Sequence, residues 1–202
     1  MLYTDHLVLH GIGIKKYADA VNISEIIGIA QAEVENSIDR AEERGLVMRA
    51  DGKATLGPAG RLIMQCNYSR FYDSVRKNDA FVSAYDRFEE LNVDLKSLIT
   101  AWQVRDIAGS TVRNDHTDAD YDNKIIDRLG ALHESAERIL AAMASVLPRM
   151  AIYREKLLMA LERAEDGAIE WVSDAKIESY HTLWFELHED LLCMLGKERE
   201  EE

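Results

Sequence analysis

The chain is 202 residues long, enough to bury a sizeable core without disulfide or metal support. Hydrophobic residues make up 47% and charged residues 30%, with only two prolines, which favours long helices over an all-β arrangement. A formal net charge of −13 excludes a protein whose whole surface binds nucleic acid, because each phosphate contact needs a cation.

The acidic excess falls mainly on the later part of the chain, and residues 1–65 are closer to charge balance, so a DNA contact is expected through this head alone. The opening MLYTDHLVLHGIGIKK lacks a basic leader followed by a continuous apolar stretch, and no segment offers the roughly 18 apolar residues needed to span a bilayer. A cytoplasmic protein without a membrane partner is expected. Cys66 and Cys193 lack the paired spacing of a zinc site and are expected as free thiols.

Asp5 to Ile12 reads as a short helix ending near Gly13. Asp19 is placed to cap a second helix, Ala20 to Ile27, with Val21, Ile23 and Ile27 facing inward and Gly28 supplying the turn that ends it. Gln31 to Arg44 sets Val34, Ile38 and Ala41 on one face of a third helix, which Gly45 closes. Leu46-Val47-Met48 and Ala54-Thr55-Leu56 flank Asp51-Gly52, the pattern of a tight β-hairpin. A fourth helix opens at Ala59, after Gly57-Pro58.

Helix periodicity then continues to Arg105, through Leu62, Ile63, Cys66, Phe71 and Val75, and through Phe81, Tyr85, Phe88, Leu95, Leu98, Ile99 and Trp102. Lys77-Asn78-Asp79 marks a break and Leu91-Asn92 a kink. Asp106 to Tyr121 has no periodicity and reads as a long polar loop, the kind that often carries function. Helices follow over Tyr121 to Leu147, Met150 to Ala164 and Asp174 to Leu195, and Lys197 to Glu202 reads as a frayed tail. The expected fold is mainly α, with an N-terminal winged helix-turn-helix carrying a small β-hairpin over residues 1–65 and an all-α domain over 66–202.

Helix, helix, turn, helix, hairpin is the winged-helix order, and the helix before the hairpin is the one such modules lay in the major groove. Ala32 to Val47, together with the hairpin ending in Leu56 to Arg61, resembles the MarR and PadR families of bacterial regulators. That resemblance implies a homodimer reading double-stranded DNA for transcriptional control. Direct readout wants Arg, Asn or Gln on the exposed face of the third helix, which Gln31, Asn36, Ser37 and Arg40 supply, with Lys15, Lys16, Arg49 and Lys53 for phosphates. Glu33, Glu35, Asp39, Glu42 and Glu43 on that same helix oppose this, and they suit a winged helix that touches protein instead.

In the remainder, the loop residues Asn114, His116 and Asp118, with Trp102 and with His181, Trp184 and His188 of the last helix, form the candidate ligand pocket. His181 and His188 are seven residues apart, about 10 Å along a helix axis, too far to share one metal, so no metal and no cofactor is expected. The last helix is apolar nearly all round and must be buried either centrally or against a second subunit. No Ser, Cys or Lys sits in a nucleophile motif, which points away from an enzyme. The phrases LNVDLKSLITAWQ, NDHTDADYD and SYHTLWFELHEDLL resemble segments accompanying phosphoenolpyruvate-utilising, pyruvate phosphate dikinase-like proteins. This second resemblance implies an alternative role, a non-catalytic interaction or accessory subunit of a phosphotransferase system.

Overall fold

The computed structural model describes residues 1–107 and 109–198, and it is mainly helical with two small hairpins. Most of the expected 197–202 tail lies outside the described residues. None of the described helices is long and apolar enough to cross a membrane. The chain divides into two compact units, one formed by Met1–Asn78 with the chain from Glu186 onward, the other by Asp79–Phe185. The boundary expected after residue 65 falls inside a helix.

In the first unit, α1 (Tyr3–Lys15) runs a turn longer than its glycines suggest. Gly11 and Gly13 sit where a side chain would meet α2 or α4: a Cβ at Gly11 would lie 2.8 Å from Ile27, and one at Gly13 3.0 Å from Met64. Both glycines therefore serve close helix packing and not chain reversal. α2 (Ala20–Ile27) starts on Asp19, whose carboxylate accepts the Asn22 backbone N–H at 2.9 Å, and stops at Gly28 with φ 71°. Its inward face is Ala20, Ile23, Ile26 and Ile27, while Val21, expected inside, is 45% exposed. α3 (Gln31–Glu43) buries Val34, Ile38 and Ala41 as expected, and Ser37 with them.

Strands β1 (Val47–Ala50) and β2 (Lys53–Leu56) pair antiparallel with Val47 opposite Leu56. Asp51 and Gly52 both take positive φ, 51° and 74°, as the two-residue primed turn requires. The linker after α1 joins this hairpin: Ala18 and Ala54 exchange backbone hydrogen bonds of 3.2 and 2.8 Å.

α4 (Pro58–Arg76) takes Pro58 at its first turn, where the missing N–H costs nothing. Its buried face is Gly60, Met64, Tyr68, Tyr72 and Val75, not the Leu62 and Cys66 expected from their apolar character. Leu62 is 61% exposed and Cys66 is also exposed. Here Met64, Tyr68, Tyr72 and Val75 hold the helical period, and Leu62 and Cys66 do not.

The second unit opens with α5 (Asp79–Gln103), which runs unbroken through Leu91-Asn92. Asn92 is buried and accepts a hydrogen bond from the Trp184 indole N–H at 3.0 Å, so a polar residue inside the helix is satisfied without a kink. A second hairpin, β3 (Val104–Ile107) with β4 (Ser110–Arg113), takes up the last two residues expected as helix, Val104 and Arg105, and the start of the stretch expected as a featureless loop. α6 (Ala119–Val146) follows, capped by Asp118, then α7 (Met150–Glu165) and the single turn α8 (Glu170–Ser173). α5 packs along α6, and α6 along α7, through Phe88, Leu95, Leu129, Ala136, Met143 and Leu157, all nearly solvent-free.

The last helix, α9 (Tyr180–Leu195), is buried on most of its sides within a single chain, including Leu183, Trp184, Leu187, Leu191 and Leu192. A second subunit is not required to cover it. Trp184 stacks on Phe88 at 4.7 Å in the second unit, while Glu186 to Leu195 belong to the first.

Candidate functional site

Two arrangements stand out, one in each unit. The first is the exposed face of α3 with the adjoining hairpin. Gln31 and Asn36 lie exposed on it. Ser37 does not: it is 2% exposed and its hydroxyl donates to the Asp5 carboxylate at 3.0 Å. The same oxygen accepts from Arg40 Nη2 at 2.7 Å, so the arginine is tied back toward α1. Burial alone would raise the Asp5 carboxyl, but the bonds from Arg40 and Ser37 outweigh it and hold the group below its ordinary value.

Arg49, on β1, is surrounded by the carboxylates that α3 presents at positions 35, 39 and 42, one stripe of the helix. Its Nη2 lies 2.7 Å from Asp39 and 3.4 Å from Glu35, and its Nε lies 3.7 Å from Glu42. Lys15 is turned inward and pairs with Glu186 at 2.9 Å, its side chain only 8% exposed. Lys53 lies over the Tyr17 ring at 5.3 Å, and Tyr17 in turn donates to the Ala50 carbonyl at 2.7 Å. Lys16 caps α1 with φ 63° and is exposed. Of the eight residues expected to meet DNA, Gln31, Asn36, Lys16 and Lys53 are thus on the surface, and Ser37, Arg40, Arg49 and Lys15 are engaged within the protein.

The second arrangement is a cleft of about 790 Å³ between the end of α5, the second hairpin, and α8. Trp102, Asn114 and His116, three of the residues expected to form a pocket, line it. Asn114 is buried and places its amide N–H groups on the Trp102 carbonyl at 3.0 Å and on Asp122 Oδ1 at 2.8 Å. Asp122 Oδ2 lies 2.9 Å from His116 Nδ1. Since the two Asn114 protons already have acceptors, its 3.2 Å approach to the same Nδ1 is a contact between two donors. Nδ1 of His116 therefore carries a proton, donated to Asp122, and Nε2 is the nitrogen left for the cleft.

Local backbone and packing fix the ring. His116 has φ 58°, a left-handed conformation in which histidine is one of the better tolerated side chains, and the imidazole rests on Trp102 with centroids 4.5 Å apart. Asp118 stands beside this cluster without lining the cleft: it caps α6 through the Tyr121 N–H at 3.0 Å and pairs with Arg105 at 2.7 Å. Those two bonds depress its carboxyl, the Arg105 bond most strongly. His181 and Trp184, on α9, are not among the residues lining the cleft, and His188 belongs to the other unit. Burial pulls the His181 imidazole below its ordinary value. Among the described residues, no three or more His, Cys, Asp or Glu side chains come together to hold a metal ion.

Sequence reasoning missed a further cluster in the first unit. His10, fully buried, places Nε2 2.9 Å from Asp190 and Nδ1 2.7 Å from the Tyr68 hydroxyl. Burial, the largest cause, raises the Tyr68 phenol far above its ordinary value. His10 and Asp190 are 180 residues apart, and no local signal joins them. Asp122 was missed for a different reason, since in sequence it is one acidic residue among several in Asp118 to Asp122. Comparison with known proteins found no matching family model, no matching curated protein and no matching solved structure, so both arrangements are read from their own geometry.

Proposed function

We propose that this chain is a non-catalytic accessory protein whose N-terminal winged helix docks on a protein partner through the acidic face of α3. The observation that carries this reading is Arg49 held among Glu35, Asp39 and Glu42, with Arg40 tied to Asp5. Exposed ion pairs contribute only about 0–1 kcal/mol each, so they could open to admit a phosphate. The carboxylates would stay behind, however, and each one held about 4 Å from a phosphate costs about 1 kcal/mol in water and more at a protein surface. A basic protein surface meets this face without that repulsion. The resemblance of the later segments to those accompanying phosphoenolpyruvate-utilising proteins suggests a phosphotransferase as the partner.

A second reading, a homodimeric transcriptional regulator, is favoured by the order of three helices and a hairpin and by the exposure of Gln31 and Asn36. Fluorescence anisotropy against fragments of the protein's own upstream DNA, at low and moderate salt, separates the two. The accessory reading expects no specific complex at low salt, and binding to a basic partner that weakens in Glu35→Lys and Asp39→Lys. Tight DNA binding that survives competitor DNA and is lost in Arg40→Ala would establish the regulator instead.

A further inference from the structure

The cleft of the second unit carries an inference independent of the docking face. Two stretches of chain line it, and they differ in charge. Arg113 and His116 come from the end of the hairpin and the loop after it, while Glu170 and Asp174 come from α8 and its end. Arg113, Glu170 and Asp174 form no ion pair with another side chain among the described residues. The Asp174 carboxylate accepts the backbone N–H of Lys176 at 2.8 Å. Trp102, Val104 and Ile169 add apolar side chains to the lining of the same cleft.

His116 is half-buried and held in one orientation. Its Nδ1 proton is committed to Asp122, its ring is held on Trp102, and its backbone takes a left-handed turn that a featureless loop would not need. With Nδ1 committed to Asp122, Nε2 is the ring nitrogen available to a ligand. A cleft with a cation on one stretch, carboxylates on another and apolar side chains in its lining matches a molecule carrying both charges and an apolar group.

We propose that this cleft binds a small zwitterion of the α-amino-acid class, its carboxylate on Arg113, its ammonium on Glu170 and Asp174, and its side chain against Trp102, Val104 and Ile169. Isothermal titration of the full chain with phenylalanine, leucine, 3-phenylpropionate and phenethylamine tests it. An amino acid should bind about tenfold more tightly than either single-charge analogue, since a charged hydrogen bond is lost in each. Arg113→Ala should weaken the amino acid and the acid and leave the amine unchanged, whereas Glu170→Gln should weaken the amino acid and the amine. Both positions are exposed, so these variants keep the fold, which near-ultraviolet circular dichroism checks. Equal affinity for 3-phenylpropionate and phenylalanine would overturn the zwitterion assignment, as would the absence of heat with both amino acids.

Discussion

Gly60→Ala should destabilise the protein even though it places a better helix former inside a helix. A Cβ at Gly60 would lie 2.0 Å from the Leu46 carbonyl oxygen and 2.9 Å from its carbon. That carbonyl cannot simply turn aside, because it accepts the Gly57 N–H at 2.9 Å, the bond that joins the start of the first hairpin to the start of α4. Relieving the overlap requires a backbone shift of about 1 Å in a close-packed interior, where overfilling costs roughly 1–3 kcal/mol. Loss of the Gly57 bond adds about 1 kcal/mol. Alanine's advantage over glycine in a helix returns about 1 kcal/mol. The net is about 2 kcal/mol of destabilisation, or a fall of about 4–8 °C in Tm for a chain of this size. Differential scanning calorimetry of the variant beside Gly130→Ala provides the contrast. Gly130 lies within α6, and its Cβ would meet only the mobile end of Glu165 at 3.2 Å, so that variant should be unchanged or slightly more stable. A Gly60→Ala protein as stable as the parent would refute the claim that α4 closes against the backbone of Leu46.

Three further outcomes follow from the same structure. Burial depresses the His133 and His181 imidazoles below their ordinary value of 6.5, so each favours the folded state fully above that pH and loses this contribution as pH falls toward the depressed folded value. Urea midpoints measured from pH 7.5 downward should therefore drop below about pH 6.5, and His133→Gln with His181→Gln should flatten that slope. Asp190→Ala, which leaves the buried His10 Nε2 without its acceptor, should cost about 1–3 kcal/mol in urea denaturation. Asp19→Ala removes the α2 cap and should cost about 1 kcal/mol by the same measurement, and no loss would show that the Asn22 N–H finds another acceptor.

Local chemistry was legible where one residue decides one conformation. Asp19, Gly28, Gly45 and the Asp51-Gly52 turn were readable because a cap or a positive φ admits few residue types. The second hairpin was not. β4 is exposed along its whole length, so no alternation of buried and exposed residues betrays it. The buried face of α4 was misread because Tyr68 and Tyr72 carry it, and tyrosine is a weaker inward signal than leucine. Of the candidate pocket, Trp102, Asn114 and His116 line the cleft together, and all three lie in or just before one long polar segment of the sequence. The partners His181 and His188 were drawn in only by their residue type, which says nothing of where a helix ends up.

The first unit takes its side chains from both ends of the sequence: His10 and Lys15 meet Asp190 and Glu186, and Arg76 donates to the Met194 carbonyl at 2.6 Å. On the ribosome, the N-terminal residues therefore emerge long before their partners exist. The intervening unit, whose helices contact near neighbours in sequence, can fold while the head waits with His10 and Lys15 still unmatched. Completion of the head is then a late event that reports the integrity of everything synthesised between. A chain cut short after Phe185 should keep its middle and lose its beginning.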